Sequence, residues 1–230
     1  MTLQERLQSC KEEISQLCKE AGRNPKDVRL IAVSKTVGLP QVEEAISCGQ
    51  MDFGENRSKL FNEKREAFPQ ANWHFIGRLQ SNKAHEVVGK SFLIHSLDRQ
   101  TLLHAIEKEA AKQNIIQDVL LEVNISGEES KAGLAPENVA AFIEEVLACE
   151  HVHCKGMMTM APIADATIAR KTFAGLRKLA QEMKSQYGGR GNISFDELSM
   201  GMSNDYASAI SEGATMVRIG RKIFSESFVQ

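Results

Sequence analysis

The sequence predicts an α/β fold, and within that class a (β/α)8 TIM barrel with an extra N-terminal helix. Eight short apolar runs lie between residues 29 and 220, and each is followed by a helical stretch or by the chain end. Several runs are continuously apolar, as strands are when both faces of a parallel sheet are covered. A doubly wound open sheet is the main alternative. It accounts less well for eight strands, and no G-x-G-x-x-G follows the first one.

An amphipathic helix opens the chain. Thr2 and Glu5 have the spacing of a capping box, and Gly22 can end the helix. The apolar stripe at helical spacing consists of Leu3, Leu7, Cys10, Ile14 and Leu17. Only ten residues follow Gly220, so an eighth barrel helix has little room. We expect the N-terminal helix to occupy that place.

The remaining elements alternate along the chain. Apolar runs predict strands at 29–34, 51–54, 73–77, 92–96, 118–124, 152–160, 195–200 and 216–220. Helical periodicity predicts helices near 40–48, 57–67, 81–88, 98–113, 136–148, 165–186 and 204–212. No internal repeat, low-complexity stretch or linker interrupts this alternation, so we expect residues 1–230 to form a single domain.

Composition argues against several classes of protein. The net charge is −2 without a basic run, which argues against a nucleic-acid partner. No apolar run approaches the roughly 20 residues of a membrane span, and the charged N-terminus does not resemble a secretion signal. The five cysteines form no C-x-x-C pair and are typical of thiols in a reducing compartment. We therefore expect a cytoplasmic protein without a membrane partner. We also expect a monomer.

A lysine stands at the end of the first predicted strand. Lys35 closes the run Arg29-Leu30-Ile31-Ala32-Val33-Ser34-Lys35. A lysine in such a place most often enters a solvated loop, but the carboxyl ends of barrel strands line the active site. An amine walled by Ile31, Val33 and the barrel interior would be held in the neutral form that attacks a carbonyl group. Lys35 is therefore a candidate for imine formation.

A loop rich in glycine and serine follows the seventh predicted strand. It contains Ser199-Met200-Gly201-Met202-Ser203. Ser203 stands where the N-cap of the last predicted helix is expected, and the loop at this position of a barrel commonly binds phosphate. A plain capped helix is the alternative. On the phosphate hypothesis, Ser199 and Ser203 donate to phosphate oxygens and the acidic Asp205 points outward.

An arginine lies inside the last predicted strand, which ends in Arg218-Ile219-Gly220-Arg221. A buried arginine needs a partner, and Glu197 or Glu122 could pair with Arg218. Arg218 could instead face a cofactor, where a guanidinium that keeps its proton would leave a pyridine nitrogen unprotonated. An amine, a phosphate cradle and an arginine together suit pyridoxal 5'-phosphate (PLP), which needs a lysine for its aldehyde and donors for its phosphate.

Six blocks of this sequence together resemble one family. In chain order they are Ala32-Val33-Ser34-Lys35, Phe53-Gly54-Glu55-Asn56, His74-Phe75-Ile76-Gly77 with Leu79-Gln80-Ser81-Asn82-Lys83, Gly156-Met157-Met158-Thr159-Met160, Leu198 to Ser203, and Val217-Arg218-Ile219-Gly220. They are similar to the signature blocks of the PLP homeostasis proteins, which resemble the barrel domain of bacterial alanine racemase without its second domain. The resemblance runs from about residue 5 to residue 226. It departs after Asn56, where this chain reads Arg57-Ser58-Lys59-Leu60 and the family usually reads Val-Gln-Glu.

The resemblance implies a barrel like the N-terminal domain of alanine racemase, with PLP held as a Schiff base on Lys35. It implies that Ser203 and the backbone of Gly220 and Arg221 hold the phosphate, and that Arg218 stands at the pyridine nitrogen. We count Asn56 and Ser199 with these residues as cofactor-binding candidates. The function implied is PLP homeostasis without robust catalytic turnover, with apo PLP enzymes as recipients of the cofactor.

A PLP-dependent amino-acid racemase is the alternative function. Racemisation needs a base on each face of the substrate carbon, and in alanine racemase the second base is a tyrosine that a second domain supplies. The chain has two tyrosines, Tyr187 and Tyr206, and neither is placed to reach the face opposite Lys35. A third hypothesis is a sugar-phosphate enzyme with an incidental phosphate site.

Two further side chains are weaker candidates. Lys131 lies on the loop after the fifth predicted strand and could be a second amine near the cofactor. His74 lies within the third predicted strand, where we expect a hydrogen-bonded core histidine.

Overall fold

The computed structural model describes residues 1–128, 131–162 and 166–226. Within them, eight parallel strands close into a barrel in chain order, and the last strand pairs with the first. This order is expected when a crossover after each strand returns the chain to the end of the barrel where that strand began, so that the next strand lies parallel beside it. The predicted (β/α)8 barrel is therefore confirmed.

Every predicted strand is present, close to its predicted bounds. The strands are β1 (Arg29–Val33), β2 (Asp52–Glu55), β3 (Asn72–Phe75), β4 (Leu93–Leu97), β5 (Gln117–Glu122), β6 (Val152–Met158), β7 (Ile193–Met202) and β8 (Met216–Ile219). The helices are α1 (Leu3–Glu20), α2 (Leu39–Ser47), α3 (Ser58–Ala67), α4 (Gln100–Gln113), α5 (Val139–Leu147), α6 (Ala166–Tyr187), α7 (Tyr206–Ser211) and α8 (Arg221–Phe224). A 3-10 helix, Ser81–Glu86, takes the place of the helix predicted at 81–88. None of the helices in the described part of the chain is both long and apolar enough to cross a bilayer.

The strands carry apolar side chains on both faces. One buried cluster consists entirely of strand residues and fills the barrel interior: Ile31, Leu93, Leu120, Met158 and Met216. A larger cluster joins the outer faces of the strands to the helices. Successive side chains of a strand point to opposite faces, so a residue two positions after a member of the inner cluster also faces the interior. This rule places His95, Glu122 and Arg218 inside the barrel.

Helix α1 packs on the short helix α8 and on α7, as expected for a helix that covers this side of the barrel. Its capping box is present. Glu5 N donates to Thr2 Oγ1 at 3.2 Å, and Thr2 N donates to Glu5 Oε2 at 2.8 Å. An ion pair between Lys222 and Glu13 ties α8 to α1. The predicted position of the N-terminal helix is therefore confirmed.

Candidate cofactor site

A cavity of about 580 Å³ opens at the carboxyl end of the strands, where barrel enzymes have their active sites. Of the residues predicted to bind the cofactor, Lys35, Asn56, Ser203, Arg218, Gly220 and Arg221 line this cavity, whereas Ser199 does not. The other lining residues include Arg78, Glu122 and Asp205, so charged groups of both signs surround the cavity.

Lys35 lies in a turn two residues beyond β1 and is exposed, although it lines the cavity. The expectation of an apolar wall around its amine is wrong. Val33 does line the cavity, but Ile31 is completely buried in the inner cluster, below the point where β1 ends. An exposed amine at the rim can be reached from solvent by a carbonyl compound or by a second amine.

A buried ion pair fixes the residue before Lys35. Ser34 Oγ donates to Glu55 Oε1 at 2.7 Å, and Lys64 Nζ donates to the Ser34 carbonyl at 2.7 Å. Lys64 Nζ also lies 2.5 Å from Glu55 Oε1, and both side chains are almost completely buried. We call Ser34, Glu55 and Lys64 the clamp. Sequence reasoning missed Lys64, because a single lysine in an amphipathic helix gives no sign that it points inward.

Asn56 follows β2 and is half-buried where it lines the cavity. Close packing from the next strand fixes its backbone. A Cβ atom on Gly77 would lie 2.3 Å from the Asn56 carbonyl oxygen, so only glycine allows this approach. The departure from the family pattern falls on the start of α3, where Arg57 and Lys59 are exposed, and Asn56 still lines the cavity.

Ser203 presents a hydroxyl to the cavity. The residue is buried, it lines the cavity, and its Oγ has no hydrogen-bond partner among the residues that the structure describes. The chain reaches this position through Gly201, whose φ of +93° favours glycine. A Cβ atom on Gly201 would lie 2.6 Å from Ala209 Cβ, so the loop also packs tightly on α7. The Ser203 side chain is therefore in a place where a ligand in the cavity can reach it.

Two predictions about this loop are wrong. Ser203 is not the N-cap of the following helix, because Asp205 occupies that position and α7 begins at Tyr206. Asp205 also does not point outward. Its Oδ1 accepts a hydrogen bond of 2.5 Å from Met202 N, it lines the cavity, and burial raises the pKa of its carboxyl group.

Ser199 lies beneath the cavity rather than in it. The residue is completely buried, and its Oγ accepts a hydrogen bond of 2.6 Å from Arg218 Nη1. The same Oγ lies 2.9 Å from His95 Nδ1. Its hydroxyl is therefore already engaged, and we correct the prediction that it meets a phosphate. The register of β7 against β8 shifts between Ser199 and Met202, and this separates the two serines.

Arg218 lines the cavity from inside the barrel, with 4% of its surface exposed. Besides the bond to Ser199, its Nη2 donates to the Thr159 carbonyl at 3.0 Å. Within the described segments it forms no ion pair, so the alternative of a salt bridge with Glu197 or Glu122 is wrong. Burial lowers the pKa of its guanidinium to about 10, which still leaves a cation at neutral pH.

Glu122 is a cavity residue that sequence reasoning considered only as a partner for Arg218. It ends β5, lines the cavity and is 3% exposed. Burial raises the pKa of its carboxyl group to about 7, and the nearby Asp98 adds to this shift. The signal that could have found it is its place two residues after Leu120, on the inner face of the strand.

Gly220 lies between β8 and β1. A Cβ atom on it would lie 2.9 Å from the Val33 carbonyl oxygen, so the glycine lets the end of β8 approach β1 just before Lys35. Arg221, the first residue of α8, follows it at the edge of the cavity. Backbone groups of the last strand and of the first are thereby brought to one side of the cavity.

Lys131 lies beside the cavity. Its Nζ donates to the Met160 carbonyl at 3.3 Å and lies 3.6 Å from Glu128 Oε2. Residues 129 and 130 of the same loop lie outside the described residues.

The two tyrosines lie away from the cavity. Tyr206 donates its hydroxyl hydrogen to Glu13, and Tyr187 is buried at the end of α6.

A family model described as the N-terminal domain of alanine racemase matches residues 6–227. A relative from Aquifex aeolicus named pyridoxal phosphate homeostasis protein is 44% identical over 225 residues, which are 96% of this chain and 97% of the relative. The chain belongs to the pyridoxal phosphate homeostasis proteins, within the alanine racemase N-terminal domain family. A second member with the same name, from Pseudomonas aeruginosa, is 37% identical and covers 97% of this chain and 95% of its own. The resemblance predicted from the sequence blocks is confirmed.

Solved structures agree with this family. PipY of Synechococcus elongatus, solved with PLP bound, is 32% identical with a TM-score of 0.84, covering 97% of this chain and 100% of its own. An alanine racemase of Clostridium difficile is only 16% identical, with a TM-score of 0.73. The match covers 96% of this chain but 57% of the racemase. The likeness to the racemase therefore concerns the barrel fold alone.

Proposed function

We propose that this protein binds PLP as a Schiff base on Lys35 and serves PLP homeostasis without robust catalytic turnover. The observation that carries the proposal is one cavity lined by an exposed lysine, a serine and a buried arginine, namely Lys35, Ser203 and Arg218. Family relatives that bear the name pyridoxal phosphate homeostasis protein match almost the whole chain.

The residues around the cavity fit the cofactor. PLP supplies an aldehyde that condenses with an amine and a ring that can accept electrons. Lys35 would supply the amine. The Ser203 hydroxyl and the backbone of Gly220 and Arg221 would hold the phosphate, since hydrogen bonds to a charged oxygen are the strong ones. Asn56, fixed by Gly77, would contact the cofactor from the β2 side.

Arg218 would face the pyridine nitrogen. A guanidinium only donates hydrogen bonds, and with a pKa of about 10 it stays charged at neutral pH. A donor at this nitrogen keeps it unprotonated, which weakens the ring as an electron sink. Efficient racemisation of an amino acid needs that electron sink. Arg218 therefore favours a protein that holds PLP over one that uses it in catalysis.

The position of the tyrosines also disfavours the racemase alternative. A racemase needs a second base opposite the lysine. Tyr206 is buried and directs its hydroxyl to Glu13 on α1, and Tyr187 lies at the far end of α6. Neither lines the cavity. The exposed Lys35 instead suits exchange with an amine from solvent, and such exchange would release PLP to apo enzymes. We propose that the protein does this in the cytoplasm, as a monomer with a single domain.

The test is to add PLP to the purified protein, record its visible spectrum, reduce it with borohydride and map the modified peptide. We expect the label on Lys35 and a colourless Lys35→Ala variant, with Lys131→Ala as the matched control that keeps its colour. A label on Lys131 would contradict the assignment. A protein that stays colourless with PLP would favour the sugar-phosphate hypothesis.

A second measurement separates holding from turnover. The loaded protein is incubated with L-alanine in D2O, and deuterium at the α-carbon is followed while an apo PLP enzyme is added in parallel. We expect reactivation of the apo enzyme and only slow exchange. Racemisation at ordinary enzymatic rates without reactivation would make the racemase reading correct.

A further inference from the structure

A row of polar side chains crosses the inside of the barrel below the cavity. Arg218 Nη1 donates to Ser199 Oγ at 2.6 Å, and Ser199 Oγ lies 2.9 Å from His95 Nδ1. His95 Nε2 lies 2.9 Å from His74 Nδ1, and His74 Nε2 lies 3.2 Å from Asp52 Oδ1. The row begins at the cavity on β8 and ends at the first residue of β2, at the opposite rim.

The chemistry of the two ends gives this row one direction. Arginine has only donors, so Ser199 Oγ must accept from Arg218, and its own hydrogen is then available to His95 Nδ1. His95 therefore carries its hydrogen on Nε2 and donates it to His74 Nδ1. His74 likewise carries its hydrogen on Nε2 and donates it to Asp52. The opposite direction would place a bare His74 nitrogen against the Asp52 carboxylate, which can only accept.

We propose that Ser199, His95, His74 and Asp52 form a one-way hydrogen-bond relay that holds the Arg218 guanidinium toward the cofactor ring. Ser199 and His95 are positioning residues, because they act on the cofactor through Arg218. The inference rests on the proposed function in one respect, since the orientation of Arg218 matters to PLP only if PLP binds there.

Burial and charge support the relay. His74, His95 and Ser199 are completely buried, so a polar atom without a partner there would be costly. Burial lowers the pKa of His95 well below its usual value, and the nearby His74, Arg218 and Arg29 add to this. Burial also lowers the pKa of His74, although Asp52 and Glu197 oppose the shift. Two neutral histidines are the form that the relay requires.

The relay also explains how Arg218 is buried without an ion pair. A buried cation is costly unless its hydrogen bonds are satisfied. Each group in the row accepts a hydrogen bond from the group before it and donates one to the group after it. The row ends on the Asp52 carboxylate, which is partly exposed at the rim and lies 3.8 Å from Arg29. The carboxylate that ends the row thereby lies at the opposite end of the barrel from the Arg218 guanidinium.

The test compares Ser199→Ala with Ser96→Ala. Ser96 is also completely buried, it follows His95 on β4, and its hydroxyl has no partner in the described part of the chain. We expect Ser199→Ala to raise the dissociation constant of PLP about tenfold or more, the loss typical of a hydrogen bond to a charged group. We also expect it to change the visible absorption maximum of the loaded protein. Ser96→Ala should change the dissociation constant by less than about twofold and should leave the absorption maximum unchanged, since it removes no hydrogen bond.

A second measurement needs no variant and no cofactor. Nitrogen-15 NMR of the wild-type apoprotein reports which nitrogen of each histidine carries the hydrogen. At pH 8, above the usual pKa of a histidine, we expect both His74 and His95 to be neutral with hydrogen on Nε2. Hydrogen on His95 Nδ1, or equal PLP affinities and spectra for the two serine variants, would overturn the relay. Failure of the wild type to bind PLP would instead overturn the proposed function and leave the NMR result to decide the relay.

Discussion

Two of the cations that line the cavity, Lys35 after β1 and Arg218 on β8, are held by the protein in opposite ways. Lys35 is exposed, and what is fixed is its neighbour Ser34, which the buried charges of Glu55 and Lys64 hold in place. Arg218 is itself buried, and its guanidinium donates only to uncharged acceptors. Near β1 the buried charges of Glu55 and Lys64 support the exposed Lys35. On β8 the buried charge is the Arg218 guanidinium itself.

This difference matches the two proposed tasks. An amine that forms and releases a covalent bond has to be reachable, so the protein can fix only the backbone around it. A guanidinium that only donates hydrogen bonds can be buried, provided that acceptors satisfy its donors. Rigidity thus comes from the clamp on one side and from the interior hydrogen bonds on the other.

The largest effect is expected when the clamp is broken. Lys64→Met leaves the Glu55 carboxylate buried without its partner, and removal of one member of a buried pair typically costs about 3–5 kcal/mol of unfolding free energy. Chemical denaturation measures the loss. The matched control is Lys59→Met on the same helix, where the lysine is exposed and no loss is expected. A loss below about 1 kcal/mol, the scale of an exposed pair, would mean that the clamp is not a buried ion pair.

The second prediction concerns the carboxyl group that faces Arg218 across the cavity. Burial raises the pKa of Glu122 from 4.5 to about 7, so its protonated form is favoured by folding and its contribution to stability is lost as the pH rises through about 7. Each unit of difference between the folded and the unfolded pKa is worth about 1.4 kcal/mol of unfolding free energy. Between pH 4.5 and pH 8.5, the unfolding free energy of Glu122→Gln should therefore rise by about 3 kcal/mol relative to that of the wild type.

Unfolding free energies of both proteins at the two pH values measure this gain. Glu44→Gln, which changes an exposed carboxyl group on α2, should follow the wild type at both. A Glu122→Gln variant that keeps a constant difference from the wild type would show that folding does not shift the pKa of Glu122.

The smallest effect is expected at Ser203, for which we propose one hydrogen bond to the phosphate from the β7 side. Ser203→Ala should weaken PLP binding by about 1.5–3 kcal/mol, or about tenfold or more, because a bond to a charged oxygen is lost. Ser211→Ala, an exposed serine on α7, is the control. Pyridoxal without its phosphate should bind wild type and Ser203→Ala equally weakly. Equal binding of PLP and pyridoxal to the wild type would contradict a phosphate site.

Local patterns were sufficient for the elements and for the ends of the strands. Continuous apolar runs predicted the eight strands, and the strand ends predicted Lys35 and Arg218 as residues that line the cavity. The capping box and the apolar stripe at helical spacing predicted α1 and its buried face. These features depend on neighbours within a few positions, which a single sequence contains.

Side-chain direction near the strand ends was harder to predict. Ser199 and Ser203 are similar in sequence, yet a shift of register in β7 turns Ser199 toward His95 and leaves Ser203 at the cavity. The N-cap prediction failed for a related reason. The Asp205 side chain folds back to accept a hydrogen bond from Met202 N, and the helix begins two residues later than the sequence pattern predicted.

The sequence by itself determined the barrel, the N-terminal helix and the lysine and arginine of the candidate site, because alternation, capping and strand ends are local. Only the tertiary structure decided what holds those two cations. Lys64 reaches Ser34 from a position 30 residues away, and Ser199 meets His95 across 104 residues. Closure of the barrel brings such pairs together in a buried interior, where an unpaired charge or polar atom is costly.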